Sequence, residues 1–172
     1  GGMTDAQIDV EGIKAWATFC DTHYLSFSAV FDQVTTLSDA LQTIARCGFA
    51  SPSWASGKLG IVWDAPNQIP VMAFGMANIC KGSFEISYVT DNLADEIVVN
   101  YNDRNKNWES NQVRVTVPGT VGTPAKTSTV DLMGCTTNAM AAKFANALAA
   151  QQFYRRRNIT WETDMEGFVC QR

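Results

Sequence analysis

The chain predicts an α+β fold, built as two small subdomains with largely antiparallel strands, and three observations carry that expectation. Apolar residues recur at helical spacing over residues 10–24, after Thr36, and over 138–156. Clean period-two alternation runs through 84–88, 97–101 and 113–117. The strands come in succession before a single long helix, an order that differs from repeated βαβ units and points to α+β.

In the first half, Ile13, Trp16, Ala17, Cys20 and Tyr24 mark one face of a helix over 10–24. Leu25, Phe27, Ala29 and Phe31 then share one face of a predicted strand over 25–31. Thr36-Leu37-Ser38-Asp39 resembles a capping box with Asp in place of Glu, opening a helix whose core stripe is Leu37, Ala40, Leu41, Ile44 and Ala45. Gly48 follows as its stop. Residues 54–63 read as a hairpin turning at Ser56-Gly57. Pro66 and Pro70 break the pattern, which puts a boundary within 65–75 and divides the chain into subdomains 1–70 and 71–172.

The second half reads as an antiparallel half-open β-barrel with one packed helix. Its strands are 84–88, 97–101, 113–117, 127–132 and 158–163, the last with Ile159 and Trp161 on one face. Polar residues 102–108 join two of them, and the Gly-, Pro- and Thr-rich stretch 118–126 predicts an exposed, mobile loop. The helix over 138–156 buries Ala141, Phe144, Ala145 and Leu148, and Arg155, Arg156 and Arg157 set positive charge at the negative pole of its dipole.

Composition limits what such a fold does. Of 172 residues, Gly1-Gly2 ahead of Met3 read as a tag remnant. Charged residues are 17%, against a typical ~25%, so the chain is no disordered polyelectrolyte. Thirteen Lys and Arg against seventeen Asp and Glu leave a net charge of −4, the wrong sign for a broad nucleic-acid footprint. The longest apolar run, 71–80, is far short of the ~20 residues of a membrane span. The five cysteines, Cys20, Cys47, Cys80, Cys135 and Cys170, are scattered and odd in number, which suits small apolar side chains in a reducing cytoplasm.

Candidate chemistry is sparse. His23 stands three residues after Cys20 on one helix face, a pair that could activate a thiolate; the apolar stripe already explains Cys20 as core and the helix dipole explains His23, and the structural reading is preferred. One histidine and five dispersed cysteines lack the paired spacing of a zinc site, and the chain implies no cofactor. Acidic residues 162–167 have the alternation of a calcium loop without its preceding helix, and read as a polar turn between strands. Trp63 and Trp161 fall on apolar strand faces and are expected in the core. Trp108 lies in the polar loop, so Asp103, Arg104, Lys106 and Trp108 form the candidate interaction surface.

Asn78, Gly82, Ser83, Phe84, Ser87 and Tyr88 match a run of the form N-(I/V)-x-x-G-S-F-x-x-S-Y. Downstream, Val99-Asn100-Tyr101-Asn102-Asp103 and Asn107-Trp108-Glu109 follow, then Gly134-Cys135-Thr136, an alanine-rich helix, and Arg155 to Trp161. Upstream stand the helix around Leu37 to Ala45 and the Gly57-Lys58-Leu59 hairpin. In this order and spacing the chain resembles the tail tip attachment proteins (host-specificity protein J) of lambda-like phages over most of residues 16–170. The resemblance implies an internal fragment of a tail tip or baseplate hub protein, non-enzymatic and trimeric in its full length. It would be folded in the bacterial cytoplasm and placed in the virion tail among other tip and tube proteins. The resemblance departs from the family after Gly167-Phe168-Val169, where members continue into a turn and further strands. Two other readings stay open: a small cysteine hydrolase or peptidoglycan-active enzyme, and a carbohydrate-binding module built on Trp54 or Trp108.

Overall fold

A computed structural model of the chain describes residues 3–55, 57–64, 70, 72–88 and 93–170. Its three helices are α1 (Val10–Thr22), α2 (Leu37–Cys47) and α3 (Asn138–Tyr154). Its strands are β1 (Ala50–Ala55), β2 (Lys58–Trp63), β3 (Glu85–Tyr88), β4 (Glu96–Asp103), β5 (Glu109–Thr116), β6 (Thr127–Asp131) and β7 (Arg157–Thr160). The architecture is α+β, with three small open sheets among the described residues, β1-β2, β3-β7 and β5-β4-β6. The boundary expected within 65–75 falls largely on residues outside those described.

The core lies between α3 and one face of the β5-β4-β6 sheet. Ile97, Val99 and Tyr101 of β4 meet Met140, Ala141, Phe144 and Ala145 of α3, and Val113, Val115 and Val130 close the sides. Val99 is fully buried. Val98 is buried as well, on the opposite face, because the long Arg114 chain stands directly across from it. Elements of the first half join this core through Leu25, Cys47 and Phe49. The Phe49 ring stacks on Phe144 at 5.6 Å, and the Cys47 thiol donates to the Met133 carbonyl at 3.1 Å.

Pairing is antiparallel in β1-β2, β3-β7 and β4-β5, while β6 runs parallel to β4. The chain crosses over β4 to reach that edge, and the 118–126 loop makes the crossing. The loop is mostly exposed, but Asp95 holds it, its carboxylate accepting from Ala125 N and Lys126 N at 3.0 Å.

Local chemistry explains most element ends. Thr36 accepts from Asp39 N at 3.2 Å and its hydroxyl donates to the Asp39 carboxylate at 2.6 Å, so the expected cap of α2 forms. The stop works differently from the expectation: Gly48 keeps φ at −104°, and Phe49 takes the left-handed turn at 55°. Gly48 serves close approach instead. A Cβ there would meet Trp16 Cζ2 at 2.5 Å and Cys20 Sγ at 2.8 Å, and the Trp16 indole donates to the Gly48 carbonyl at 3.0 Å. The hairpin turns between Ala55 and Lys58 as expected, with Gly57 at φ 75°; Ser56 lies outside the described residues.

Three expectations are corrected. Helix α1 stops at Thr22 rather than Tyr24, because Tyr24 turns left-handed at φ 55°. Residues 25–31 form an extended arm and not a strand. Its backbone link to the sheet region is Ser28 N to Gly134 O at 3.0 Å, and only Leu25 is fully buried while Ala29 and Phe31 face solvent. The segment 162–167 runs into a 3-10 helix, Met165–Cys170, and not into another strand.

Strands β3 and β7 stand apart from the larger sheet as a two-stranded ribbon. Ile86 pairs with Ile159, each 44% exposed, and Phe84, Tyr88 and Trp161 extend the same apolar face. Trp161 is not a core residue: it packs at 5.3 Å on Phe74 and remains outside the main cluster, as does half-buried Trp63. The three arginines after α3 are individually engaged. Arg155 pairs with Asp64, Arg156 stacks over Phe153 at 5.1 Å, and Arg157 over Tyr88 at 5.6 Å.

Candidate functional site

The turn between β4 and β5 is built by short polar side chains bonding back to the main chain. Asp103 ends β4 with its side chain inward, and the chain makes one 3-10 turn over Arg104–Lys106. Asn107 and Trp108 then both adopt left-handed backbone, at φ 51° and 63°. Asparagine tolerates that region readily. A bulky indole does not, and such a residue persists only where its surroundings hold it.

Asp103 is what holds it. The residue is 5% exposed, and its carboxylate accepts from Asn105 N at 3.0 Å, from the Tyr101 hydroxyl at 3.3 Å and from Asn111 Nδ2 at 3.3 Å. Its carbonyl accepts from Trp108 N at 2.9 Å. The backbone bond from Asn105, with those from Asn111 and Tyr101, holds the Asp103 carboxyl below its ordinary range against the opposing effect of burial. Burial, chiefly, pushes the Tyr101 phenol up. Asn138 Nδ2 donates to the same phenol at 3.3 Å and ties the turn to the first residue of α3.

Of the four residues the sequence singles out, then, Arg104, Lys106 and Trp108 are exposed and Asp103 is the buried anchor beneath them. Sequence reasoning missed Tyr101, Asn111 and Asn138. The signal was present in the five asparagines between positions 100 and 111, a residue type that favours left-handed turns and side-chain bonds to backbone.

Trp108, 60% exposed, stands at the rim of a groove of about 750 Å3. The groove runs over the sheet face turned away from α3, between Asn100, Asn102, Ser110 and Asp131 on one side and residues 28–30 and 133–136 on the other. Cross-strand register places Asn100 beside Asp131 and Asn102 beside Ser110. Asn100 Nδ2 donates to Asp131 Oδ1 at 2.7 Å.

The Cys20–His23 arrangement is not that of a nucleophile and its base. The His23 ring nitrogen Nδ1 lies 2.9 Å from the Phe19 carbonyl, and the ring packs on Phe19 at 4.2 Å. Burial, with Asp21 nearby, pushes the Cys20 thiol up, opposite to the shift that activates a cysteine. Cys47 is pushed up to about 12 by burial first, then by Cys135. Cys80 is exposed, contrary to an apolar role for every cysteine, and the Cys170 side chain lies outside those described. Among the described residues, no group of three or more His, Cys, Asp and Glu side chains could hold a metal ion, and no helix is long and apolar enough to cross a membrane.

The family match places the chain among phage tail proteins. Residues 36–170 match the Phage-tail_3 family, described as "Putative phage tail protein", and the chain belongs to that family. It is similar in fold to the tail protein from Neisseria meningitidis MC58, with a TM-score of 0.54 at 16% identity. That likeness covers 86% of this chain and 49% of the other, so the chain spans about half the length of that structure. No curated protein sequence matches.

Proposed function

We propose that the chain is a structural segment of a phage or prophage tail tip or baseplate hub protein of the host-specificity protein J type. It works by protein–protein assembly in the virion tail and, in the full-length protein, as a homotrimer among tip and tube proteins. One observation carries this reading. The β3-β7 ribbon leaves Phe84, Ile86, Tyr88, Ile159 and Trp161 partly exposed rather than packed into the main core.

A two-stranded ribbon is marginal in water unless something packs on it. Here Phe84, Ile86, Tyr88, Ile159 and Trp161 offer one contiguous face to a neighbouring subunit. The Arg104, Lys106 and Trp108 turn is a second contact surface, separate from the ribbon.

The test is sedimentation of the chain with the tail proteins encoded beside it. Co-sedimentation is expected, and Ile86→Glu and Ile159→Glu, each with unchanged secondary structure, should weaken it by about tenfold or more. A monomer that ignores those proteins, or ribbon variants that assemble normally, would overturn the reading.

A further inference from the structure

We infer that the groove beside Trp108 binds a neutral oligosaccharide. The groove is of a size that holds small ligands. It offers an exposed indole plane at the rim and, beside it, a row of amide, hydroxyl and carboxylate groups on a rigid sheet face. Sugars need both: their C–H faces pack on aromatic rings, and their vicinal hydroxyls take paired donors and acceptors.

The pair is already set. With Asn100 Nδ2 donating to Asp131 Oδ1, both side chains are fixed in the sheet's cross-strand register. Among the described residues, Asn100 Oδ1 and Asp131 Oδ2 have no partner and remain as acceptors for hydroxyl donors. Asn102 and Ser110 continue the row toward Trp108. The main chain of Trp108 is held as well, by its left-handed turn and by the bond from its backbone N–H to the Asp103 carbonyl. A site held in place before binding loses little freedom when it fills.

Charge narrows the ligand further. Among the described residues, Asp131 is the one formally charged residue lining the groove and no lysine or arginine lines it, so phosphate and uronate groups are disfavoured. This inference concerns the groove that the second contact surface borders, and it does not rest on the ribbon.

The experiment is calorimetric titration of the intact chain with cellotetraose, chitotetraose, mannotetraose and maltotetraose. At least one should bind saturably. Trp108→Ala and Asp131→Asn should each weaken it by about tenfold or more without lowering the melting temperature. Trp54→Ala, at the other exposed indole, should leave it unchanged. Should Trp108→Ala fail to fold, Asp131→Asn, a same-sized change at an exposed side chain, decides alone. Absence of saturable binding by all four sugars overturns the inference, as does binding that survives both variants. So does a Trp108→Ala chain that loses only its co-sedimentation with tail proteins, which would make the groove a protein contact.

Discussion

Replacing Gly48 with alanine tests how α1 crosses the end of α2. The backbone there, φ −104° and ψ 24°, is open to any residue, so alanine meets no conformational penalty. Reduced freedom of the unfolded chain would by itself favour the substitution by about 0.4–1 kcal/mol. Space reverses the sign. The new methyl would lie 2.5 Å from Trp16 Cζ2 and 2.8 Å from both Trp16 Cε2 and Cys20 Sγ, where carbon contacts normally sit at about 3.5–4.0 Å. The indole cannot swing aside freely, because its N–H donates to the Gly48 carbonyl, a bond contributing about 0.5–1.5 kcal/mol. Overpacking of this kind costs about 1–3 kcal/mol. We expect a net loss of about 0.5–2.5 kcal/mol, read by urea unfolding, and a melting temperature lower by about 1–10 °C. Gly75→Ala, with nothing within 4 Å of its Cβ, is the matched control and should show only the favourable effect of about 0.4–1 kcal/mol. A Gly48→Ala chain as stable as the parent would refute the crossing. So would equal loss in a Trp16→Leu background, where the indole clash is removed and only the Cys20 Sγ contact remains, so that the two changes should couple.

Thiol labelling of the native chain should modify Cys80 quickly and spare Cys47 and Cys135 until the chain unfolds, since burial raises both thiols and Cys47 to about 12; mass spectrometry of timed alkylation reads the order, and early labelling of Cys47 would contradict its burial. Asp103 supplies acid sensitivity: its folded value lies below the ordinary unfolded carboxylate value of about 3.9, so its stabilisation is complete above that value and is lost as pH falls through the lowered one. Asp103→Asn should therefore show a shallower fall in melting temperature below about pH 4 than the parent, and identical acid limbs would remove Asp103 as the anchor.

Much of the fold could be read directly from local pattern. Val113, Val115 and Val117 announce β5, and Thr36 with Asp39 announces the start of α2, because alternation and capping are properties of neighbouring residues. The arm at 25–31 has the same alternation yet no strand partner among the described residues, and alternation reports faces rather than hydrogen-bonded neighbours. The parallel seat of β6 was equally hidden, since its position depends on the crossing loop that Asp95 ties down. At the site, the turn and its exposed tryptophan were legible, whereas the inward set of Asp103 was not. A carboxylate reads as surface until partners such as Tyr101 and Asn111, two and eight residues away, are seen around it.

The β3-β7 ribbon also fixes an order of events in folding. Its strands flank the whole stretch from β4 to the end of α3, so pairing Tyr88 with Arg157 closes a long loop. Closing that length of free chain costs about 4 kcal/mol, more than a short ribbon of exposed pairs recovers. The β4–α3 unit must therefore collapse first and bring the strand ends within reach. By the same balance the ribbon is the first part to open from the native state, and its amides should exchange with solvent well ahead of those of β4. Whatever docks on that ribbon would then do more than cover apolar surface: it would fasten the stem from which the folded unit projects.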